Sequence, residues 1–284
     1  MTNGIDLSGR VALVTGGGAG IGRGVALALG AHGCDVVVAE IDPERAEGTA
    51  AALRALGRRA VAITTDVMDT EQVRAAVRRA DEELGRIDIL VNNAGGVAAR
   101  RFLEQSERSW RRHIDINFVS MLAATSAAVP LMIREGQGGS IVNVSSIEGS
   151  RAAPTFAVYA ACKAAMNSFT RTMAVELAEH SIRVNCIAPD WTRTPGNSGL
   201  RAGPVPAELP PRSPEREAAL ASYIPLGREG LVEECGEVVA FLSSPLASYV
   251  TGAIVPVDGG TWASSGWVRD RAGGWSLFGP EHPM

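Results

Sequence analysis

The chain has 284 residues, 46% of them apolar, 5% aromatic and 20% charged, with a net charge of -4; this suits one large α/β domain with an ample core and excludes a disulfide scaffold or a disordered chain. Lys and Arg are scattered, so no basic stripe for a phosphate backbone exists and nucleic acid is not an expected partner. Cys34, Cys162, Cys186 and Cys235 lack C-x-x-C spacing and read as buried free thiols of a reducing compartment, while His32, His113, His180 and His282 stand apart from one another, so no metal site is expected. The stretch from Met1 to Arg10 is polar, and no segment is read as apolar over the roughly 18 residues that a membrane span needs, so a soluble cytoplasmic protein without a membrane partner is expected.

Strands are predicted at Val11 to Thr15, Asp35 to Ala39, Ala60 to Thr65, Ile87 to Val91, Ser140 to Val144, Arg183 to Ile187 and Ala253 to Val257. They are continuously apolar, as a parallel sheet covered on both faces requires, and helices fill the intervals. The expected fold class is α/β: a doubly wound, seven-stranded parallel sheet with helices on both faces, a Rossmann fold in a single domain. Ligands of such a sheet sit at the carboxyl ends of the strands, so chemistry is expected just after strands one, four, five and six.

The first strand ends in Thr15-Gly16-Gly17-Gly18-Ala19-Gly20-Ile21-Gly22, with Val25, Ala26 and Leu29 following on a helical face. Glycines let a pyrophosphate approach the backbone, and the free N–H groups and positive dipole end of the helix attract it. The second strand leads into Glu40, whose carboxylate suits ribose hydroxyls and would repel a 2'-phosphate. No Arg or Lys stands beside it at Ala19 or Ile41, which favours NAD over NADP. Asp42-Pro43-Glu44 supplies a cap, a proline at the first helical position and a first-turn acid, leaving Glu40 free of capping duty. Asp66-Val67 closes the third strand, and Asp69-Thr70-Glu71 opens the next helix.

The fourth strand runs into Asn92-Asn93-Ala94-Gly95, small residues that let a cofactor lie close, and Asn117 falls in the helix that follows. Ser146 follows the fifth strand in Val142-Asn143-Val144-Ser145-Ser146, ahead of a helix over about Ala157 to Ala178. Spacing i, i+4 puts Tyr159 and Lys163 on one face of that helix. Tyrosine titrates near pH 10, and a unit charge about 4 Å away at an effective dielectric of ~20 is worth roughly 4 kcal/mol, about 3 pK units, so Lys163 is expected to bring Tyr159 into range as a base. The sixth strand leads through Ala188-Pro189-Asp190-Trp191-Thr192-Arg193-Thr194 into residues 194–223, where prolines 195, 204, 206, 210, 211 and 214 predict a long excursion over the crevice. Pocket walls are expected from Val97 to Arg101, from Glu148, Arg151, Thr155 and Phe156, and from that excursion. Arg151 reads either as a partner for a substrate acid or as a solvated loop arginine. A tail from Thr261 to Met284 carries Trp262, Trp267, Trp275 and Phe278, which either cover a crevice, their own or a neighbour's, or simply anchor a packing tail.

The pattern T-G-x-x-x-G-x-G over Thr15 to Gly22, the N-N-A-G of Asn92 to Gly95, Ser146 with Tyr159-x-x-x-Lys163, and the run from Ile224-Pro225-Leu226-Gly227-Arg228 through Val257-Asp258-Gly259-Gly260 resemble the short-chain dehydrogenase/reductase family over about residues 7 to 262. The resemblance implies a catalytic tetrad of Asn117, Ser146, Tyr159 and Lys163, with Ser145 and Asn92 structural. It implies cofactor contacts from Gly16, Gly18, Gly20, Ile21, Gly22, Glu40, Asp66, Val67, Asn93, Pro189 and Thr194 as well as Tyr159 and Lys163. Asp190 stands where the family usually has glycine. The implied organisation is an NAD-binding catalytic domain over residues 1–262, with a substrate loop at 194–223, followed by an aromatic tail at 263–284. The implied function is hydride transfer between a small-molecule secondary alcohol or ketone and NAD, in a homotetramer or homodimer joined through the helices after strands four and five. Competing readings are an NADPH-dependent ketone or 3-oxoacyl reductase and a non-catalytic NAD-binding sensor.

Overall fold

In the computed structural model, which describes residues 4–200, 202–277 and 279–281, the apolar runs become β1 (Val11–Thr15), β2 (Asp35–Glu40), β3 (Ala60–Thr64), β4 (Ile89–Asn92), β5 (Gly139–Val144), β6 (Ile182–Pro189) and β7 (Ile254–Val257). Two residues singled out above, Phe278 and His282, lie outside the described residues. The strands pair in the order β3-β2-β1-β4-β5-β6-β7, every pair parallel. Strand order reverses between β1 and β4, which opens a crevice at their carboxyl ends.

The helices are α1 (Gly20–Ala31), α2 (Pro43–Ala55), α3 (Thr70–Leu84), α4 (Glu107–Ile114), α5 (Ser120–Glu135), α6 (Ala157–Glu176), α7 (Pro214–Tyr223) and α8 (Val232–Ser243). Neighbouring residues of a strand point to opposite faces of the sheet, so each strand feeds two cores. Leu13, Val37, Leu90, Ile141 and Val184 join Val77, Ala124, Ala128 and Met132 of α3 and α5 on one face. Ala12, Val14, Val36, Val38, Val91 and Val142 join Val25, Leu29, Val239 and Ala240 of α1 and α8 on the other. Both helix starts predicted from aspartates hold: Asp42 accepts from Glu44 and Arg45 N–H at 3.0 and 3.2 Å, and Asp69 from Glu71 and Gln72 at 2.9 and 3.3 Å.

The element boundaries depart from expectation where tertiary bonds intervene. β4 begins at Ile89 because the Asp88 carboxylate, 3% exposed, is taken by Arg10, Arg86 and the Val11 N–H. α6 stops at Glu176 because the chain tightens into a 3-10 turn and Ser181 turns left-handed at φ 56. Asn117 sits in a π-helical turn, Asp115–Val119, that joins α4 to α5. The whole helical run Glu107–Glu135 is long and apolar enough to cross a membrane by length and composition, contrary to the expectation of no such segment. Its apolar character has a core explanation, since Ala123, Ala124, Ala128 and Met132 pack against α3 and the sheet.

The tail is more ordered than its composition suggests. After β7 comes α9 (Thr261–Ser264), and then β8 (Val268–Arg269) pairs antiparallel with β9 (Trp275–Ser276). This hairpin docks on α7 of its own chain: Ser222 Oγ donates to the Arg269 carbonyl at 2.6 Å, Arg269 donates to the Pro225 carbonyl at 3.3 Å, and its guanidinium lies 4.6 Å from the Trp275 ring centroid.

Candidate active site

The glycine-rich turn after β1 is pinned to β2 and β4. Gly16 N–H donates to the Ala39 carbonyl at 2.7 Å, and Asn93 Nδ2 donates to the carbonyls of Thr15 and Gly16 at 2.9 and 3.1 Å. Thr15, which the sequence reading passed over, accepts through Oγ1 from Asn93 and Ala94 N–H at 3.0 and 3.1 Å. Gly16 and Gly20 hold φ of 63 and 55. A methyl on Gly22 would collide with the Gly16 carbonyl oxygen and with Asn93 Nδ2, so the turn closes only around a bare backbone. Whereas α2 and α3 carry aspartate caps, α1 begins at Ala19 with no side-chain cap. The first-turn N–H groups of Gly20, Ile21 and Gly22 therefore face the crevice mouth without a side-chain acceptor, a seat for a pyrophosphate.

Glu40 is less free than expected. It is 9% exposed, and its carboxylate accepts from Gly18 N–H at 3.1 Å through one oxygen and from Ile41 and Asp42 N–H at 2.8 and 3.3 Å through the other. An ionised carboxylate has about four acceptor sites, so one remains beyond these three bonds. The expectation of no basic residue beside it also needs correction: Arg45, one helical turn into α2, packs against Gly18. Its guanidinium spans to the substrate excursion, donating to the carbonyls of Gly203 and Leu200 at 2.6 and 3.2 Å. Asp66 lies in the loop beyond β3, where its Oδ1 accepts from Met68 N–H at 2.9 Å, and Val67 is buried beside it.

At the carboxyl end of β5, Ser146 opens a 3-10 turn, Ile147–Gly149. Gly149 lies so close to α6 that a methyl there would stand 2.8 Å from the Lys163 carbonyl carbon, so this turn packs directly on the helix that carries Tyr159. Ser146 Oγ accepts from Glu148 N–H at 3.2 Å, and its hydroxyl acts on that of Tyr159, favouring the phenolate. Ser145 instead donates to the Lys163 carbonyl at 3.1 Å, and Asn92 bridges Asn143 and Thr125, the structural roles expected of both. Lys163 is 3% exposed, its Nζ 5.6 Å from the Tyr159 ring centroid and donating to the Val144 carbonyl at 2.8 Å. Asn117, fully buried, exchanges hydrogen bonds with Gly96 and donates to the His113 carbonyl. Gly95 permits the convergence: a methyl there would meet Asn117 Oδ1 at 2.8 Å and Lys163 Nζ at 3.6 Å. All four tetrad residues are thus brought together.

The electrostatics differ from the expected pair. Burial raises the Tyr159 hydroxyl above its ordinary value; the Ser146 hydrogen bond opposes this, and the Glu148 and Asp190 carboxylates add to it. Lys163 does not offset the rise, because burial acts on it too and brings its ammonium down to about 8. Charge facing Tyr159 comes from Lys163 on α6, Glu148 and Arg151 on the loop after β5, Asp190 after β6 and, through Arg151, Tyr223 of α7. Removing the Asp190 charge favours the phenolate. Asp190→Asn is therefore expected to move the alkaline-rising limb of kcat/KM for alcohol oxidation to lower pH, and a limb unmoved or moved upward in a pH–rate profile would contradict that coupling.

The turn after β6 carries the remaining predicted contacts. Pro189 ends the strand opposite Val257, and Thr194 lies over the glycine turn, 3.4 Å from where a methyl on Gly20 would stand. Asp190 is built into an ionic cluster instead of a bare turn: its Oδ2 accepts from Thr261 Oγ1 at 2.7 Å and lies 3.5 Å from Arg151, which donates to Glu148 at 2.8 Å. Arg151 is therefore paired and only partly solvated, with 28% of its side chain exposed and Tyr223 of α7 5.9 Å from its guanidinium. The excursion itself is tied down by arginines, Arg193 donating to the Pro210 carbonyl at 2.7 Å and Arg212 pairing with Glu229 at 2.9 Å. Neither Arg45 nor Tyr223 carried a sequence signal, since each reaches its partner across a long stretch of chain.

Known proteins are similar to this chain in sequence and fold. A family profile described as Enoyl-(Acyl carrier protein) reductase matches residues 16–261. The oxidoreductase UcpA of Salmonella typhimurium is 41% identical over 257 residues, covering 90% of this chain and 95% of that protein. A short-chain type dehydrogenase/reductase from Mycobacterium marinum superposes with a TM-score of 0.81 at 35% identity, over 90% of this chain and 97% of that one. Carveol dehydrogenase from Mycobacterium avium, in complex with NAD, superposes with a TM-score of 0.82 at 32% identity, over 92% and 100% of the two chains.

Proposed function

The chain belongs to the short-chain dehydrogenase/reductase family of oxidoreductases, and from that premise we propose that it moves a hydride between a secondary alcohol or ketone and NAD, with Tyr159 as the base and acid. The observation that carries this reading is the convergence of Ser146, Tyr159, Lys163 and Asn117 beside an uncapped helix start and a glycine turn that a single methyl would fill. The cradle fits a dinucleotide: bare backbone at Gly16, Gly18, Gly20 and Gly22, N–H groups of α1 for the pyrophosphate, and the spare acceptor site of Glu40 for a ribose hydroxyl. NAD held there supplies the acceptor for the carbinol hydrogen and its electron pair.

The remaining steps belong to the protein. Tyr159 as phenolate takes the hydroxyl proton of the alcohol, and in reduction its neutral hydroxyl returns one to the ketone oxygen. Ser146 donates to the same substrate oxygen, the role that its effect on Tyr159 supports. Lys163, lowered to about 8 and hydrogen-bonded to Val144, passes a proton on at little cost, and Asn117 in its π-helical turn fixes the Gly96 backbone next to it.

The NADPH-dependent reductase gains one observation, Arg45 beside Gly18, but that guanidinium is committed to Gly203 and Leu200. The Glu40 carboxylate at its side disfavours a 2'-phosphate by as much as ~4 kcal/mol at contact distance. Initial rates with each cofactor are therefore expected to give a kcat/KM for NAD at least about tenfold above that for NADP, and Glu40→Ala is expected to narrow the ratio. A preference for NADP would overturn the cofactor assignment.

A further inference from the structure

Two acids and one base line the substrate side of Tyr159. Glu148 comes from the 3-10 turn after β5, Arg151 from the loop beyond it and Asp190 from the end of β6. Their side chains are 20%, 28% and 10% exposed, so the charges interact in a poorly solvated wall. Arg151 donates to Glu148 at 2.8 Å and stands 3.5 Å from Asp190. Its face toward α7 is closed by Tyr223, while Thr261 of α9 fixes Asp190 at 2.7 Å. Among the described residues the second oxygens, Oε2 of Glu148 and Oδ1 of Asp190, accept no hydrogen bond. The wall thus carries net charge -1 and two vacant acceptors, and both carboxylates act on the Tyr159 hydroxyl.

We propose that Glu148 and Asp190, with Arg151 locked between them, form a filter that selects an alcohol bearing a second hydrogen-bond donor, a hydroxyl or an ammonium, and rejects carboxylate and phosphate substrates. A donor on the substrate satisfies an acceptor that otherwise loses its hydration when the crevice closes. An anionic substrate meets two carboxylates against one cation, which already has its partners. The inference rests on the proposed hydride chemistry at Tyr159, yet the preference it states is one of binding as well as turnover.

The test uses butan-2-ol derivatives carrying at the third carbon a hydroxyl, an ammonium or a carboxylate. Oxidation with NAD gives kcat/KM for each, and titration calorimetry of the NADH-loaded protein, whose reduced cofactor cannot accept a hydride, gives binding without turnover. In the unmodified protein the diol and the amino alcohol are expected to exceed the hydroxy acid by about tenfold or more in both readouts, and the order of those two says which donor the wall takes. Asp190→Asn is expected to narrow the ratio. Glu148→Gln combined with Asp190→Asn leaves Arg151 an unmatched cation and is expected to make the hydroxy acid the best of the three. Equal or better binding of the hydroxy acid to the unmodified protein, no binding of any of the three, or one ratio across all the proteins would overturn the filter. Binding in the predicted order without oxidation would uphold the filter and defeat the hydride reading instead.

Discussion

Tyr159→Phe is expected to lower kcat for alcohol oxidation by roughly 10²–10⁴-fold, the usual worth of a positioned general base, while NAD binding persists. The phenyl ring keeps the packing of α6 but removes the hydroxyl on which Ser146 acts and which can take the alcohol proton. Equilibrium titration with NAD and steady-state kinetics separate the two effects. Lys163→Ala is expected to be comparably damaging for a different reason, because it also leaves the Val144 carbonyl without its donor at 2.8 Å. A Tyr159→Phe protein that turns over at the normal rate removes Tyr159 from the mechanism.

Gly22→Ala carries the second large expectation. Its methyl has no place to go between the Gly16 carbonyl and Asn93, so the turn between β1 and α1 must open. Overpacking of this kind costs about 1–3 kcal/mol, which at ~2–4 °C per kcal/mol for a chain of this size lowers Tm by several degrees. The cofactor suffers more than the fold, because the N–H groups at the start of α1 are displaced from their common focus. NAD affinity is expected to fall by at least about tenfold, read by calorimetry, with the secondary structure preserved by circular dichroism. Unchanged affinity would mean that the dinucleotide does not lie in this turn.

The architecture was legible because its signals are local. Apolar runs of strand length, Asp42-Pro43-Glu44 and Asp69 each specify an element from within a few residues, and the doubly wound parallel sheet follows, whereas the strand order comes from the structure. The closeness of Tyr159 and Lys163 was legible from spacing, since a helix turns i and i+4 to one side whatever surrounds it, whereas Asn117 and the choice of Ser146 over Ser145 rested on the family resemblance. Energetics were not. Lys163 sits by Tyr159 as expected, but its effect depends on water excluded by Gly95, Asn117 and Val144, none of which a helical spacing reveals. Glu40 reads as an open acid in sequence and proves to be the strut that ties Gly18 to the start of α2. The membrane-length run was missed because charged Arg111, Arg112 and Asp115 precede its most apolar half, whose small residues serve the core. The Glu148–Arg151–Asp190 cluster assembles from the turns after β5 and β6, which only the fold brings together.

The central claim is hydride transfer from a secondary alcohol to NAD through Tyr159. The most direct measurement follows the absorbance of reduced nicotinamide when purified protein, NAD and a panel of secondary alcohols are mixed, with the Tyr159→Phe protein in parallel. The account predicts production of NADH with at least one donor-bearing alcohol in the unmodified protein, and its near loss in the variant. Equal rates in the two proteins, or NAD binding with no reduction by any alcohol and no oxidation of NADH by the matching ketones, would contradict it.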